Sequence, residues 1–175
     1  MKSSALPPGQ KSSDRPDLTV RVFHAKMVAI IKDICKNGII GRTVAHIYTI
    51  EFQKCSLPHM HMIIFFHPDS KLKTPEEVDS LISAEFPDKN TEPELFELVK
   101  KYMVHTPCTG NPDSPCIKDP NAGCSKSFPK PFCDQTTINE DSYSVLCCHD
   151  TGTQYEHGCH MVDNHWVVPY CKWLI

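Results

Sequence analysis

The sequence predicts an α+β fold: an antiparallel sheet centred on a 43–66 hairpin, helices packed on one face, and an irregular Cys-rich loop appended. Three observations predict it. Val20, Phe23, Met27, Ile30, Ile31 and Ile34 recur at steps of three and four, the period of a helix with one apolar stripe. Thr43 to Gln53 is rich in β-branched and aromatic residues, and His59 to Phe66 is an apolar run just beyond it, so the two read as paired strands. Cys108, Cys116, Cys124 and Cys133 fall amid Pro, Gly, Asn and Asp, where neither period survives.

The chain has 175 residues with 18 basic and 21 acidic side chains, a formal charge of −3, and 40% hydrophobic residues. That content supports a core and excludes full disorder. No run is long and apolar enough to span a bilayer, and Met1 to Pro8 lacks the apolar stretch of a signal peptide. Membrane and secreted classes are therefore set aside. The mild negative charge also argues against a generic polybasic nucleic-acid binder. The counts that stand out are 10 Cys, 10 His and 15 Pro against 7 Gly. In an unsecreted chain such cysteines stay reduced, which favours metal ligands or plain thiols over disulfides.

Taken in order, residues 1–13 form a polar Pro/Ser/Lys tail. A helix then starts at Ser13 or Asp14, with Pro16 in its first turn, and stops at Asn37-Gly38. The first strand follows from Thr43, and residues 54–58 connect it to the second. The second strand shows no alternation, which predicts burial on both faces. Thr74-Pro75-Glu76-Glu77 is a capping box that opens a short helix with Val78, Leu81 and Ile82 inward. Pro93 to His105 gives a third helix, with Leu95, Leu98, Val99 and Tyr102 on its core side. A loop spans 105–133, and the last forty residues are weakly patterned apart from a strand at His165 to Pro169. The expected organisation is thus a tail (1–13), a metal-site core (14–104), a Cys-rich loop (105–133) and a C-terminal part (134–175).

His59 and His61 stand two apart on a strand, so both imidazoles point to one face. That spacing suits two ligands of one metal ion, or two strand histidines satisfied by hydrogen bonds. With 54–58 as the connection, Gln53 lies opposite His59 and Glu51 opposite His61, so either can supply a third, oxygen ligand. Two imidazoles and one oxygen leave positions open for water or a phosphate oxygen. Ile63 stands where a metallo-hydrolase of the His-x-His-x-Asp-His type needs Asp. In the loop, His105, Cys108, Cys116 and Cys124 are a candidate closed zinc site, with Cys133 able to replace His105. The spacing lacks paired Cys-x-x-Cys knuckles, and reduced thiols in a surface loop are the alternative. Lys118, Lys126 and Lys130, near Phe128 and Phe132, offer charge and stacking to single-stranded DNA, or else form a solvated face over a small apolar anchor.

Arg15-Pro16-Asp17-Leu18, Tyr48-Thr49-Ile50-Glu51-Phe52-Gln53-Lys54 and Leu57-Pro58-His59-Met60-His61 resemble blocks of the N-terminal, helicase-like region of Helitron transposon proteins. Ser83-Ala84-Glu85, Glu94 to Met103, Cys124 to Phe132 and Trp166-Val167-Val168-Pro169-Tyr170 continue the resemblance in order, from roughly Pro8 to Tyr170. It implies a rolling-circle replication initiator of the His-hydrophobic-His endonuclease class, acting in the nucleus on single-stranded DNA at transposon ends. In that class two histidines and a third polar residue hold Mg²⁺ or Mn²⁺ on the scissile phosphate, and a tyrosine attacks to leave a 5′-phosphotyrosine. His59 and His61 carry over as ligands, and Lys54 is a candidate phosphate contact beside them.

The resemblance also places the family's paired tyrosines on a helix beyond the Trp166–Tyr170 block, and an ATP-driven helicase domain elsewhere in the full protein. This chain stops at Ile175, so no catalytic tyrosine is assigned and the expectation is an incomplete domain, inactive in nicking by itself. Where the family carries arginines, this sequence has Cys55, Cys147-Cys148-His149 and His165, replacements that single transitions at CG codons produce. A decayed relic without activity, and a zinc-stabilised DNA- or protein-binding module, remain as alternatives.

Overall fold

The computed structural model describes residues 14–52, 57–108, 114–119, 121, 123–140 and 143–175. The chain forms two compact units, Met1–Lys71 and Leu72–Ile175. The expected segment boundaries after 104 and 133 both lie inside the second unit.

The first unit is a helix on a hairpin. Helix α1 (Pro16–Cys35) opens on proline, which fits a first-turn position whose N–H has no helical partner. Asp17 favours its N-terminus and Lys32 its C-terminus through the helix dipole. Arg15 clamps Asp17 at 2.8 and 2.9 Å in this first turn and holds its carboxyl down to about 2. The helix ends at Lys36, and Gly38, at φ 64°, takes the left-handed turn that a side chain would strain. Strands β1 (Thr43–Phe52) and β2 (Pro58–Phe66) pair antiparallel. Thr43 donates its hydroxyl to the Ile34 carbonyl, and the Cys35 thiol lies 3.3 Å from His46 Nδ1. These contacts set α1 on the face that carries His46, where Met60, Met62, Ile64 and Phe66 are half-buried. His59, His61, Ile63 and Phe65 alternate with them and are exposed. The expectation of burial on both faces is therefore corrected: one helix covers one side of a two-stranded sheet, and the apolar run hides a period of two.

The second unit holds α2 (Pro75–Leu81), β3 (Ile82–Ser83), α3 (Pro93–Tyr102), β4 (Thr137–Ile138), β5 (Ser144–Val145), β6 (Tyr155–His157), β7 (His160–Val162) and β8 (Tyr170–Cys171). Among the described residues the strands form four separate two-stranded sheets, β1-β2, β3-β8, β4-β5 and β6-β7, and not one sheet built outward from the hairpin. The capping box forms as expected: Glu77 N–H donates to Thr74 Oγ1, and the Glu77 carboxylate accepts from Thr74 N–H. Helix α3 turns Leu95, Phe96 and Val99 inward. Leu98 and Tyr102 are exposed, which corrects their expected core placement; the Lys101 ammonium lies over the Tyr102 ring.

This helix also stops three residues short of His105, because tertiary pairing captures the next residues. Val104 bridges Val167, His105 N–H donates to the Trp166 carbonyl, and Val168 N–H donates to the Met103 carbonyl. Trp166 itself ends a short 3-10 turn (Asn164–Trp166), so the expected strand over 165–169 is replaced by this turn and β8. Val99, Val167 and Tyr170 form the buried core, packed by Phe86, Leu95, Met103 and Ile175. Phe96 meets Phe86 and Tyr155 at 5.8 and 4.8 Å between ring centres. Each such fully buried apolar side chain stabilises by about 1.5–3 kcal/mol.

Candidate metal centres

The exposed face of the hairpin carries the first candidate donor set; among the described residues, His59, His61 and Glu51 are not in the groups whose ligand atoms all lie within 4.8 Å of one another. Pro58 enters β2 opposite Phe52, so the connection is 53–57 and Glu51 lies opposite His59, with Thr49 opposite His61. The pairing expected from a 54–58 connection is thus out by two residues. A slip of two keeps every side chain on its face, where a slip of one would have reversed it. Thr49, Glu51, His59 and His61 consequently share one face. Glu51 reaches diagonally along it, its Oε1 2.9 Å from His61 Nε2. The His59 and His61 rings sit 6.0 Å apart at 65°, close to the two-residue repeat of a strand. Further along, Ile47, Ile63 and Phe65 are also exposed. Gln53, Lys54 and Cys55 lie outside the described residues.

The second site lies in the loop after α3. His105, Cys108, Cys116 and Cys124 place one ligand atom each within 4.8 Å of one another, although the sequence spreads them over twenty residues. His105 leaves the Val104–Val167 bridge with its ring stacked on Phe128 at 4.4 Å and 15°. Its Nε2 points at sulfur, 3.6 Å from Cys116 and 3.5 Å from Cys124. Ser125 N–H donates to the Cys116 carbonyl and Ser127 N–H to that of Cys124, which turns the chain around the two thiols. Cys133 is elsewhere: its thiol donates to the Gln135 carbonyl and its backbone pairs with Cys148. The alternative with Cys133 in place of His105 is corrected on that ground.

Charge in this cluster is unevenly shared. Burial, and then hydrogen bonding to Cys116 and Cys124, pushes the Cys108 thiol up to about 12. Burial raises Cys124 too, but the amides of Phe128 and Lys126 and the neighbouring thiols outweigh it and bring it down to about 7. Burial, with Lys126 and Lys130 nearby, lowers the His105 imidazole towards its neutral, electron-donating form. Lys130 Nζ donates to the Lys126 carbonyl at 3.0 Å and sits 4.9 Å over Phe128. Phe132 packs on His165. The rings proposed to stack on DNA bases are thus engaged with protein rings.

A network that the sequence did not announce ties the second unit together. Asn164 accepts from Phe86 N–H at 2.9 Å and donates to the His149 carbonyl and the Glu85 carboxylate at 3.0 and 3.3 Å. Tyr170 donates its hydroxyl to the Glu85 carbonyl. His149 uses both ring nitrogens, Nδ1 with Glu85 at 2.9 Å and Nε2 with the Asp134 carbonyl at 3.1 Å. Hydrogen bonding to Glu85 therefore raises the His149 imidazole, because an acceptor on each nitrogen suits the doubly protonated ring. Cys147 joins Glu85 and His149 in a second close group of donor atoms. Glu85 was visible only as part of a sequence block, and Asn164 carried no signal.

Residues 2–64 match the family described as the Helitron helicase-like domain at the N-terminus. The matched span holds α1, β1 and the His59-Met60-His61 stretch; the later sequence blocks lie beyond it. No curated protein matches this chain. Among the described residues no helix is long and apolar enough to cross a membrane.

Proposed function

We propose, from the Helitron helicase-like segment that this chain carries over residues 2–64, that the protein is a fragment of a Helitron-type replication initiator, its hairpin face holding a divalent ion against single-stranded DNA. The observation that carries this reading is the Glu51–His61 pair at 2.9 Å beside His59 on one exposed sheet face. Two imidazoles and a carboxylate are a fitting donor set for Mn²⁺, and for Mg²⁺ where the substrate phosphate adds oxygen ligands. When bound, the ion polarises the scissile phosphate.

The chain's own contributions follow from its geometry. β2 aims His59 and His61 to the same side, and Glu51 holds the His61 ring while adding negative charge. The exposure of this face leaves room for an extended nucleotide strand. On the sequence alone, Lys54, Lys126 and Lys130 are the proposed phosphate contacts, each of which would strengthen DNA binding in a salt-dependent way. No tyrosine of the chain is assigned as nucleophile. Its partners on this reading are single-stranded DNA at transposon ends and the helicase domain of a full-length protein, in the nucleus. The thiolate-rich group of the second unit suits a softer ion than Mg²⁺ or Mn²⁺.

The test is Mn²⁺ binding by the full chain, read by electron paramagnetic resonance, together with Mn²⁺-dependent binding of a labelled single-stranded oligonucleotide. Replacing both His59 and His61 by Ala should abolish the Mn²⁺ dependence and leave the circular dichroism unchanged. Equal Mn²⁺ affinity in the folded double variant would overturn the reading.

A further inference from the structure

We propose that His105, Cys108, Cys116 and Cys124 bind one Zn²⁺ in a closed tetrahedral site that serves as the core of the 105–133 segment. The proposal is independent of the reading of His59 and His61.

Distance is the first argument. With Zn–S near 2.3 Å and Zn–N near 2.05 Å, tetrahedral angles put each sulfur about 3.6 Å from the imidazole nitrogen. His105 Nε2 lies 3.6 Å from Cys116 Sγ and 3.5 Å from Cys124 Sγ. All four donor atoms fall within 4.8 Å of one another, so an ion at their centre needs little rearrangement.

Packing is the second. Among the described residues of 105–133 the buried side chains are Cys108 and Cys116 alone, at 2% and 8% exposure. The described residues of the segment bury only these two thiols and half-bury Phe128 and Phe132 against His105, Trp166 and His165, a small apolar contribution against the entropy of ordering it. A metal bound to four side chains supplies that free energy in place of a hydrophobic core.

The surroundings are built for thiolates. Lys126 N–H donates to Cys124 Sγ at 3.4 Å, and the Ser114 hydroxyl lies 3.2 Å from Cys116 Sγ. Three thiolates, one neutral imidazole and Zn²⁺ sum to a single negative charge, which Lys126 and Lys130 face. Sulfur donors select zinc over Mg²⁺ and Mn²⁺. Four protein ligands leave no open position, so the site is structural and not catalytic. Its consequence reaches beyond the loop: His105 belongs to the Val104–Val167 junction and to the ring stack with Phe128 and Trp166, so the ion fastens the segment to the core of the second unit.

The experiment is elemental analysis and native mass spectrometry of the full chain, with cysteine alkylation counted before and after chelation. The expected result is one Zn²⁺ per chain, three cysteines protected from alkylation until the chelator removes the ion, and Co²⁺ replacement giving the intense visible bands of a tetrahedral thiolate site. Cys124→Ser should lose the ion and the protection, while Cys133→Ser keeps both. His105→Cys, which preserves a four-ligand set, guards against misreading a misfolded variant and should retain zinc. Zinc-free protein after refolding in excess Zn²⁺, zinc retained by the Cys124→Ser and Cys116→Ser variants alike, or iron as the stoichiometric metal would each overturn the proposal.

Discussion

Replacing Asn164 by Leu tests whether the second unit depends on a single buried amide. Asn164 is 6% exposed and serves three partners at once: it accepts from Phe86 N–H and donates to the His149 carbonyl and the Glu85 carboxylate. Leucine keeps the branching at Cγ but is larger, so the change removes the hydrogen bonds and also crowds the buried site. The Glu85 oxygen keeps its bond to His149 and loses little. Phe86 N–H and the His149 carbonyl lose their side-chain partner, and each such group left unsatisfied costs about 1–3 kcal/mol. The two orphaned groups together give an expected loss of about 2–6 kcal/mol, a large fraction of what a domain of this size has. Both tryptophans, Trp166 and Trp173, lie in the second unit, so urea unfolding followed by tryptophan fluorescence reads this unit. Asn164→Asp should fall between the two, since aspartate still accepts from Phe86 N–H but cannot donate and meets the Glu85 charge. A loss under about 0.5 kcal/mol for Asn164→Leu, outside the range set by the orphaned groups, would refute the reasoning.

Three further outcomes are expected. The raised His149 pKa means that the folded unit holds a proton more tightly than the unfolded chain. Its contribution is fully present below the ordinary histidine value and is lost as pH rises through the folded one. The urea midpoint of the second unit should thus fall as pH rises above the ordinary histidine value of about 6.5, and His149→Gln should remove that slope. With the His149 side chain half exposed, the effect stays below about 1 kcal/mol. Thr74→Ala, which breaks the capping box of α2, should cost about 1 kcal/mol, measured by the same unfolding curve. Phe96→Ala, at 1% exposure between Phe86 and Tyr155, should cost about 3–5 kcal/mol; a two-state melt with an unchanged midpoint would contradict the packing described for it.

Local chemistry determined much of this protein from the sequence alone. Pro16, the capping box at Thr74 and the left-handed glycine at Gly38 act within one helical turn, so α1 and α2 were legible from short range. The two strands were legible because β-branched residues and the connection around 54–58 act on neighbours. The His59 and His61 face was legible because a strand repeats every two residues whatever its partner. The His105, Cys108, Cys116 and Cys124 group was legible as donor chemistry, since those side chains have few other uses at such density in a loop.

Tertiary structure decided what depends on partners far away in the chain. The hairpin register moved by two because Pro58 pairs with Phe52, a choice that changes every cross-strand pair yet keeps each side chain on its face. α3 ended at Tyr102 because Val104 and His105 were captured by Val167 and Trp166, sixty residues on, against a helical propensity that is weak by comparison. Asn164, a polar residue in an unpatterned stretch, became the joint of the second unit because three separate backbone and side-chain groups converge on it. Which four of the scattered histidines and cysteines meet was settled in the same way. Spacing names candidate donors, but only the fold sets the distances between them.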